Sequence, residues 1–488
     1  MTTDRQLLNV LFRQWAGRDC EQCSELGANG SNRRYARLSA GERRCIAALN
    51  DDVRENEAFF YFSREMRERG IRVPQLYAVS DDRRCYLQED LGDTTLYNHL
   101  YAKRQQGSGF DAEAVGLYKR VLSDLVEMQT RCRDLDFSHA YPRSDFDRQA
   151  LQWDFNYFKY FFLKLLYIPF DEQLLEDDFR TFIDYLLAGD CGSFMYRDFQ
   201  TRNIMLTGEP VRQLCYIDYQ GARRGAPQYD AASLLYSSKA EIPEAIRQEL
   251  LRHYVESYFS AQGRGGLVSQ ATDFAQRFYG YVLARMMQAM GAYGYRGLYE
   301  RKDYFINSIP LAVANLRTVV ESHWPPVELP HLRQVFDAII RSQAACLPAG
   351  QTGQSDRLTV TVCSFSYKKG LPHDESGNGG GFVFDCRALP NPGRYPEYRT
   401  VTGRDPSVVA FLQKEEAVGR FLDHACALVA QSVEKYIERR FTSLTVSFGC
   451  TGGQHRSVYC AERMAAYLRE NFDCNVVLKH REQGFSSQ

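Results

Sequence analysis

Three side chains of the types that support phosphoryl transfer occur at a spacing that can bring them together. Asp198 and Asn203 stand in the string YRDFQTRN, and Asp218 follows fifteen residues after Asn203. One carboxylate can orient an attacking hydroxyl, while an amide oxygen and a second carboxylate can hold Mg²⁺ against nucleotide phosphates. We therefore predict Asp198 as the catalytic residue and Asn203 and Asp218 as metal ligands. Apolar residues flank both strings, which predicts a loop followed by a hairpin.

Three upstream segments have the character of a nucleotide site. A small polar loop precedes a strand-like segment, and its backbone N–H groups can cradle phosphates. An acidic stretch then opens a helix, and a strand–turn–strand pattern ends at the string QEDLGD, where an adenine-binding hinge would lie. The predicted nucleotide-binding residues are Gly27, Gly30, Ser31, Arg33, Glu57, Gln88, Glu89 and Leu91.

A second anion-binding pattern, GCTGGQHRS, follows a predicted strand and opens a predicted helix near the end of the sequence. Glycines let the backbone N–H groups turn toward one point, and the start of a helix adds positive potential. Arg456 can supply a bidentate fork to an anion. The predicted anion-binding residues of this loop are Cys450, Thr451, Gly452, Gly453, His455, Arg456 and Ser457.

The same loop leaves the role of its cysteine open. Cys450 and Arg456 also satisfy C-x5-R-[ST], the pattern of a thiolate loop in which the cysteine has a lowered pKa and acts as a nucleophile. The alternative is a cysteine packed beneath the loop.

Composition favours a multidomain globular protein. The 488 residues are 44% hydrophobic and 25% charged, which excludes disorder as the main architecture. The formal net charge of −1 gives no global electrostatic case for binding nucleic acid or membranes. A polar stretch at residues 342–357 predicts a linker, and a compact pattern of alternating strands and helices follows it.

The lack of a predicted membrane span or secretion signal favours a cytoplasmic location, in which cysteines stay reduced. No run of about 18 apolar residues occurs, so we expect no membrane span. Apolar residues from Leu7 to Trp15 repeat at helical spacing, which predicts an amphipathic helix rather than a secretion signal. We therefore expect the 14 cysteines to be reduced, including the lone C-x-x-C pair Cys20 and Cys23.

The first 340 residues resemble the aminoglycoside phosphotransferase-like kinases, and more narrowly the kinases of N-acetylmuramate and N-acetylglucosamine. The shared strings include QEDLGD, YRDFQTRNIM and IDYQGA. The resemblance implies an α+β bilobal protein-kinase-like fold, with a small β-rich lobe at 1–92 and a large helical lobe at 93–341. It also implies phosphorylation of a sugar hydroxyl with ATP and Mg²⁺, with Asp198 as the base.

Two departures from this family pattern matter. Tyr196 stands where the family often has histidine, and the third-strand segment Cys45–Asn50 lacks the usual lysine. Arg43, Arg44, Arg33 or Arg34 can supply a positive charge, but lysine and arginine are not interchangeable in such a site. A regulatory protein with a disabled kinase half is therefore an alternative.

Residues 358–488 resemble the C-terminal domain of the RNase adapter RapZ. The shared strings are CSFSYKKGLP, FVFDCRALPNP and GCTGGQHRSVYCAERMAAYL. The resemblance implies a smaller α/β domain that binds a phosphorylated amino sugar and forms homo-oligomers. It adds Asp385, Arg387 and Asn391 to the predicted anion site. Gly393 replaces a histidine of the family, and the basic tail of the family is missing, so we expect no RNA partner.

Together these patterns predict a small-molecule kinase fused to a domain that senses or processes a phosphosugar. Two alternatives remain: a regulatory pseudokinase that acts as an adapter, and a bifunctional kinase and nucleotidyltransferase.

Overall fold

The computed structural model describes residues 2–27, 33–105, 109–208, 212–263, 268–342, 357–372, 381–439, 441–483 and 485–487. The predicted site residues Gly30 and Ser31 and the predicted linker residues 343–356 lie outside these ranges. The chain divides into two compact units, Met1–Pro348 and Ala349–Gln488.

The first unit begins with a lobe built on a five-stranded antiparallel sheet. The strands lie in the order β1-β2-β3-β5-β4. Leu8, Leu11 and Phe12 of the first helix pack on the outer face of this sheet, as its apolar periodicity predicts. The elements are α1 (Thr2–Ala16), β1 (Gln22–Leu26), β2 (Arg34–Ala40), β3 (Arg43–Leu49), α2 (Val53–Glu68), β4 (Leu76–Val79) and β5 (Cys85–Glu89).

A large helical lobe follows. It contains two short antiparallel pairs, β6 with β9 and β7 with β8, and the second pair is the hairpin that the sequence predicts. The helices are α3 (Leu96–Gln105), α4 (Ala112–Arg131), α5 (Arg148–Phe158), α6 (Glu172–Leu187), α7 (Gln228–Leu235), α8 (Glu244–Ala261), α9 (Val268–Ala292), α10 (Asp303–Ile306), α11 (Ile309–Ser322) and α12 (Pro330–Arg341). The strands are β6 (Ser193–Met195), β7 (Ile204–Thr207), β8 (Gln213–Tyr216) and β9 (Arg223–Gly225).

Two π-helical segments meet where α5 and α9 end. Lys159–Leu163 continues α5, and Tyr293–Tyr299 continues α9. A Cβ atom at Gly294 would lie 1.7 Å from the carbonyl oxygen of Phe161, so only glycine permits this approach. The contact fixes the position of Tyr293, which faces the catalytic loop region.

The second unit is an α/β domain with a mostly parallel sheet. The strand order is β11-β12-β10-β13-β14, and only β14 runs antiparallel to its neighbour. Helix α15 packs on β10, β12 and β13 through a buried apolar face. The elements are β10 (Thr359–Ser366), β11 (Gly381–Asp385), α13 (Pro406–Gln413), α14 (Glu416–Glu438), β12 (Ser443–Cys450), α15 (Arg456–Asn471), β13 (Asn475–His480) and β14 (Phe485–Ser487).

The predicted fold class is confirmed for both units: a bilobal kinase-like fold followed by an α/β domain with a strand, a loop and a helix. None of the described helices combines the length and the apolar character that a membrane span requires.

Candidate functional site

The loop that carries Asp198 is held by a buried carboxylate from α7. Asp230 accepts hydrogen bonds from the backbone N–H groups of Tyr196 at 2.7 Å and Arg197 at 2.9 Å. Burial raises the pKa of Asp230 to about 7, although the two backbone donors oppose this shift. Asp230 thus fixes the loop backbone immediately before the catalytic position.

Arg197 adopts a backbone conformation that side chains rarely tolerate, with φ at 84°. Its guanidinium donates to the carboxylate of Asp154 at 2.7 Å and to the hydroxyl of Tyr229 at 2.5 Å. It also lies over the ring of Phe146, 4.8 Å from the ring centroid. These contacts hold the strained residue in place, as is common beside reacting groups.

Tyr196, which stands where the family often has histidine, ties its loop to the segment that contains Ile217. Its ring is fully buried, and its hydroxyl donates to the carbonyl of Ile217 at 2.5 Å. Because Ile217 directly precedes Asp218, this bond ties the catalytic loop to the segment that carries the predicted metal ligand.

Asn203 links the backbone at Asp198 to the carboxylate of Asp218. Its amide nitrogen donates to the backbone carbonyl of Asp198 at 2.8 Å and to the carboxylate of Asp218 at 3.3 Å. Asp218 has φ at 70°, and its other oxygen accepts from Gln220 at 2.8 Å. A carboxylate and an amide so close together fit the hard oxygen ligands that Mg²⁺ prefers. The structure therefore brings the three sequence-predicted residues into one cluster.

A buried arginine stands beside Asp198. Nη2 of Arg285 lies 3.2 Å from the Asp198 carboxylate, and Nε of Arg285 donates to Ser233 at 2.9 Å. The Asp198 side chain remains 42% exposed and so can reach a substrate. Burial raises the pKa of Asp198, but positive charge, above all that of Arg285, outweighs it and holds this pKa below its usual value.

The third strand lacks the usual lysine, but a buried arginine lies just before the adjacent strand β2. Arg33, just before β2, is 4% exposed, and its Nη2 lies 3.2 Å from the carboxylate of Glu55 in α2. Burial raises the pKa of Tyr35, Arg33 opposes that rise, and the charge of Asp218 adds to it. Arg33 and Asp218 therefore act on the same buried region.

The other arginines considered from the sequence lie elsewhere. Arg44 pairs with Asp90 at 2.7 Å, and Arg43 lies over the ring of Trp15. Glu57 also lies apart from the cluster, because its carboxylate pairs with Arg83 at 3.2 Å and faces a cavity of about 630 Å³ behind α2. Residues two apart on a helix point in different directions, so Glu55 takes the inner position and Glu57 does not.

The predicted hinge residues lie at the end of β5. Glu89 is tied to the strand beside it, since its N–H donates to the carbonyl of Gln75 at 2.8 Å and its carboxylate accepts from the Gln75 N–H at 3.1 Å. The Gln88 side-chain oxygen is buried without a hydrogen-bond partner among the described residues. Leu91 is half-buried in the connection to the helical lobe, and Gly27 is exposed after β1.

A small cleft of about 90 Å³ opens beside Asp198 in the helical lobe. Asp198, Gln200 and Arg202 of its lining belong to the YRDFQTRN string. The cleft itself was not predicted, because its other residues are far away in sequence and carry no shared motif. The lining includes Asp198, Gln200, Arg202, Lys239, Arg285 and Tyr304.

In the second unit, the glycine loop cradles the Cys450 sulfur. The backbone N–H of Gly453 donates to Sγ at 3.2 Å, and the hydroxyl of Ser457 lies 3.2 Å away. Burial raises the pKa of Cys450, but these contacts with Ser457 and Gly453 outweigh it and lower this pKa below its usual value. The thiol is 3% exposed.

The guanidinium of Arg456, predicted as a bidentate anion ligand, is partly bonded to backbone, and its Nε is buried without a hydrogen-bond partner among the described residues. Nη1 of Arg456 donates to the backbone carbonyls of Arg387 at 2.7 Å and Leu389 at 3.0 Å. The side chain is buried because it holds the segment after β11 against the loop. His455 is also bound to backbone, with Nε2 2.7 Å from the carbonyl of Tyr398.

The remaining predicted residues meet at the carboxyl ends of parallel strands. Asp385 pairs in register with Gly449 and holds Arg387 through contacts at 2.7–3.0 Å. Asn391 accepts from the N–H of Gly393 at 3.2 Å. A Cβ at Gly393 would lie 3.4 Å from the His455 ring, so this position borders the same site. Thr451 and Gly452 are exposed at its mouth.

Two family models match the chain. The model described as the phosphotransferase enzyme family matches residues 22–266, which is half of the chain. The model of the RapZ C-terminal domain matches residues 358–484.

Curated relatives match parts of the chain. A nucleotide-binding protein of Xanthomonas campestris is 44% identical over 131 residues, which is 27% of this chain and 45% of the relative. The chain thus spans about half the length of these relatives. A nucleotide-binding protein of Cupriavidus taiwanensis is 32% identical over 268 residues, which is 55% of this chain and 84% of the relative.

Solved structures similar to this chain include small-molecule kinases. An ethanolamine kinase of Plasmodium vivax has a TM-score of 0.47 and 12% identity, over 62% of this chain and 84% of its own. A choline kinase of Streptococcus pneumoniae has a TM-score of 0.42 and 14% identity, over 65% and 99%. From the matched family models, the chain belongs to the phosphotransferase enzyme family and carries a RapZ C-terminal domain.

Proposed function

We propose that the first unit transfers the γ-phosphoryl group of ATP to a hydroxyl group of a sugar or amino sugar. The observation that carries this proposal is the Asn203 amide, which bonds both the backbone of Asp198 and the carboxylate of Asp218. A base position and a metal position are thereby held at a fixed separation, and positioning is most of what phosphoryl transfer requires.

In this reaction the acceptor oxygen attacks the γ-phosphorus while the bond to the β–γ bridging oxygen breaks. ADP leaves, and the proton of the acceptor hydroxyl passes to the Asp198 carboxylate and then to solvent. The lowered pKa of Asp198 makes it a weak base at neutral pH. It therefore orients the hydroxyl and takes the proton late, as suits a loose transition state with little bond formation to the nucleophile.

Asn203 and Asp218 would hold Mg²⁺, which neutralises phosphate charge when bound. Gln220 orients the carboxylate of Asp218 through its 2.8 Å hydrogen bond. Arg33, paired with Glu55, lies on the nucleotide side of the site and supplies the positive charge that the third strand lacks.

The test is ADP formation with a panel of sugars and amino sugars by wild type and by Asp198→Ala. We expect the substitution to lower kcat by about 10²- to 10⁴-fold, the usual range for a lost general base. Arg180→Gln, at an exposed position of α6, is the matched control. ATP binding without turnover by the wild type, or equal turnover by wild type and Asp198→Ala, would favour the regulatory alternative instead.

For the second unit we propose a binding site for a phosphosugar at the carboxyl ends of β10, β11 and β12. Exposed Thr451 and Gly452 offer donors at the start of α15, and ligands commonly bind at this edge of parallel sheets. Arg387 is half-exposed beside them.

Calorimetric titration of the full chain with glucosamine 6-phosphate and with glucosamine tests this second proposal. Only glucosamine 6-phosphate should bind, and Arg387→Gln should raise its Kd about 10-fold or more. Arg420→Gln, exposed on α14, is the control. Equal heats for both sugars contradict a phosphate site.

A further inference from the structure

The cleft beside Asp198 is lined by more positive charge than the proposed transfer requires. Arg202, Lys239 and Arg285 all face it, whereas Asp198 is the only carboxylate among its lining residues. Arg285 already pairs with Asp198 at 3.2 Å. The two other positive charges, those of Arg202 and Lys239, line a space of about 90 Å³.

Neither of these two charges forms an ion pair within the part of the chain that the structure describes, although the charge of Arg202 helps to lower the pKa of Asp198. Burial, with a smaller contribution from the charge of Arg202, lowers the pKa of Lys239 to about 8. A half-buried ammonium beside a guanidinium is unfavourable unless an anion joins them.

The cleft is also built to keep Lys239 in place. Arg104 of α3 donates to the backbone carbonyls of Lys239 at 3.1 Å and Ala240 at 2.6 Å. The Lys239 ammonium lies 3.2 Å from the centroid of the Tyr304 ring. Its position is thus fixed by contacts on both its backbone and its side chain.

The location of the cleft assigns it to the acceptor rather than to the nucleotide. Every residue that lines it belongs to the helical lobe, on helices α9 and α10 and the turns near Asp198 and Lys239. Arg33 and the hinge at Gln88 belong to the other lobe and contribute nothing to it.

We propose that Arg202 and Lys239 form an oxyanion subsite, so that the acceptor is a polyol that carries a carboxylate or phosphate group. This inference rests on the proposed kinase function and deepens it. With its anionic group between the two cations, the acceptor presents a hydroxyl to Asp198. The subsite disfavours acceptors that carry an ammonium group, because these would be repelled by both side chains.

Four hexoses with the same ring test this charge preference: glucose, glucosamine, glucuronate and glucose 6-phosphate. We expect kcat/KM for at least one anionic sugar to exceed that for glucose by 10-fold or more, and glucosamine to be poorest. The carboxylate and phosphate arms show which anion the subsite takes. Equal kcat/KM for glucose and both anionic sugars would overturn the proposal.

Arg202→Gln and Lys239→Gln assign the effect to the subsite. Each should lower kcat/KM for the anionic sugar by about 10- to 150-fold, the range for a hydrogen bond to a charged group. The KM for ATP and the rate with glucose should stay within about 2-fold to 3-fold of wild type, a change as small as that of most surface substitutions. If the KM for ATP instead rises by the same factor with every acceptor, these cations bind the nucleotide, and the inference is contradicted. Lys119→Gln, exposed on α4, is the control.

Binding separates this inference from the kinase proposal. If none of the four sugars is phosphorylated, inorganic phosphate and glucuronate are titrated into the full chain and into the Arg202→Gln/Lys239→Gln double variant. Anion binding that is lost in the double variant supports the subsite even without turnover. Anion binding that is unchanged in the double variant, or absent from the wild type, overturns it.

The protonation of Lys239 gives an independent readout. The charged and titratable groups around it in the cleft are Arg202, Arg285, Asp198, Tyr293 and Tyr304. Because its pKa is about 8, kcat/KM for the anionic sugar should fall above pH 8, and Lys239→Arg should remove that fall. A wild-type profile that matches Lys239→Arg would contradict the role of this ammonium.

Discussion

At the scale of single residues, one of the four arginines that could replace the missing third-strand lysine lies buried just before β2. The sequence left four arginines as alternatives, because spacing alone does not tell which way a side chain points. The structure directs Arg44 to Asp90 and Arg43 to Trp15, while Arg33 is buried against Glu55. Arginine keeps its charge under all conditions, so this exchange preserves a positive group beside the predicted nucleotide site.

We predict that Arg33→Gln lowers kcat/KM for ATP by about 10- to 100-fold, because a buried charge-assisted contact is lost. Arg33→Lys should recover part of this loss, since it restores the charge but not the planar fork. Steady-state kinetics at varied ATP concentration checks both variants, with Arg43→Gln as the control. Unchanged ATP kinetics for Arg33→Gln would show that Arg33 serves only the lobe's packing.

The direction of side chains also limited the prediction of the second site. The loop around Gly452 lies where the pattern of strand, glycines and helix indicated. Arg456, however, donates to the carbonyls of Arg387 and Leu389, which the C-x5-R pattern cannot reveal because these partners come from another strand. Lys239 and Arg285 carried no signal for the same reason: the chain brings them to Asp198 only through tertiary packing.

At the scale of elements, hydrophobic periodicity predicts those helices and strands whose positions depend on the local sequence. The amphipathic first helix, strand β5 and helix α15 lie where hydrophobic spacing placed them, whereas β4 (Leu76–Val79) lies earlier in the chain than the predicted strand that was to begin at Val79. The break between α13 and α14 at residues 414–415 and the strand β14 were not predicted. Such a break and a three-residue edge strand depend on packing partners rather than on the residues' own preferences.

The catalytic loop shows how one element supports another. Helix α7 supplies Asp230, which bonds two successive N–H groups of the loop, and Arg197 is thereby kept at positive φ. Removal of Asp230 should therefore lower the stability of the protein more than removal of a surface carboxylate does. Asp230→Ala would leave both buried donors unsatisfied and should lower the free energy of unfolding by about 2–5 kcal/mol.

Urea unfolding of Asp230→Ala and Asp230→Asn measures this contribution. The asparagine keeps one acceptor oxygen, so its effect should be the smaller, and Asp177→Ala on the surface of α6 should have almost none. Loss of the bonds should also lower kcat, since Asp198 follows the loosened loop directly. If both Asp230 variants match the wild type in stability, the helix does not anchor the loop.

At the scale of the whole molecule, a net charge near zero conceals local charge. The formal charge of −1 gives no reason to expect general nucleic-acid binding, but it says nothing about a cleft lined by Arg202 and Lys239, which form no ion pair among the described residues. Each unit also has its own buried core, one around helices α4 to α12 and one around strands β10 to β13. Separate cores are what allow domains to fold as separate cooperative units.

We therefore expect calorimetry of the full chain to resolve two unfolding transitions. Leu468 of α15 and Leu186 of α6 are both fully buried, one in each core. Leu468→Ala should lower the stability of one transition by about 2–5 kcal/mol, and Leu186→Ala that of the other. ADP should raise only the transition that Leu186→Ala lowers, because a ligand stabilises the unit that binds it. A single transition that both substitutions and ADP shift together would show that the two cores unfold as one.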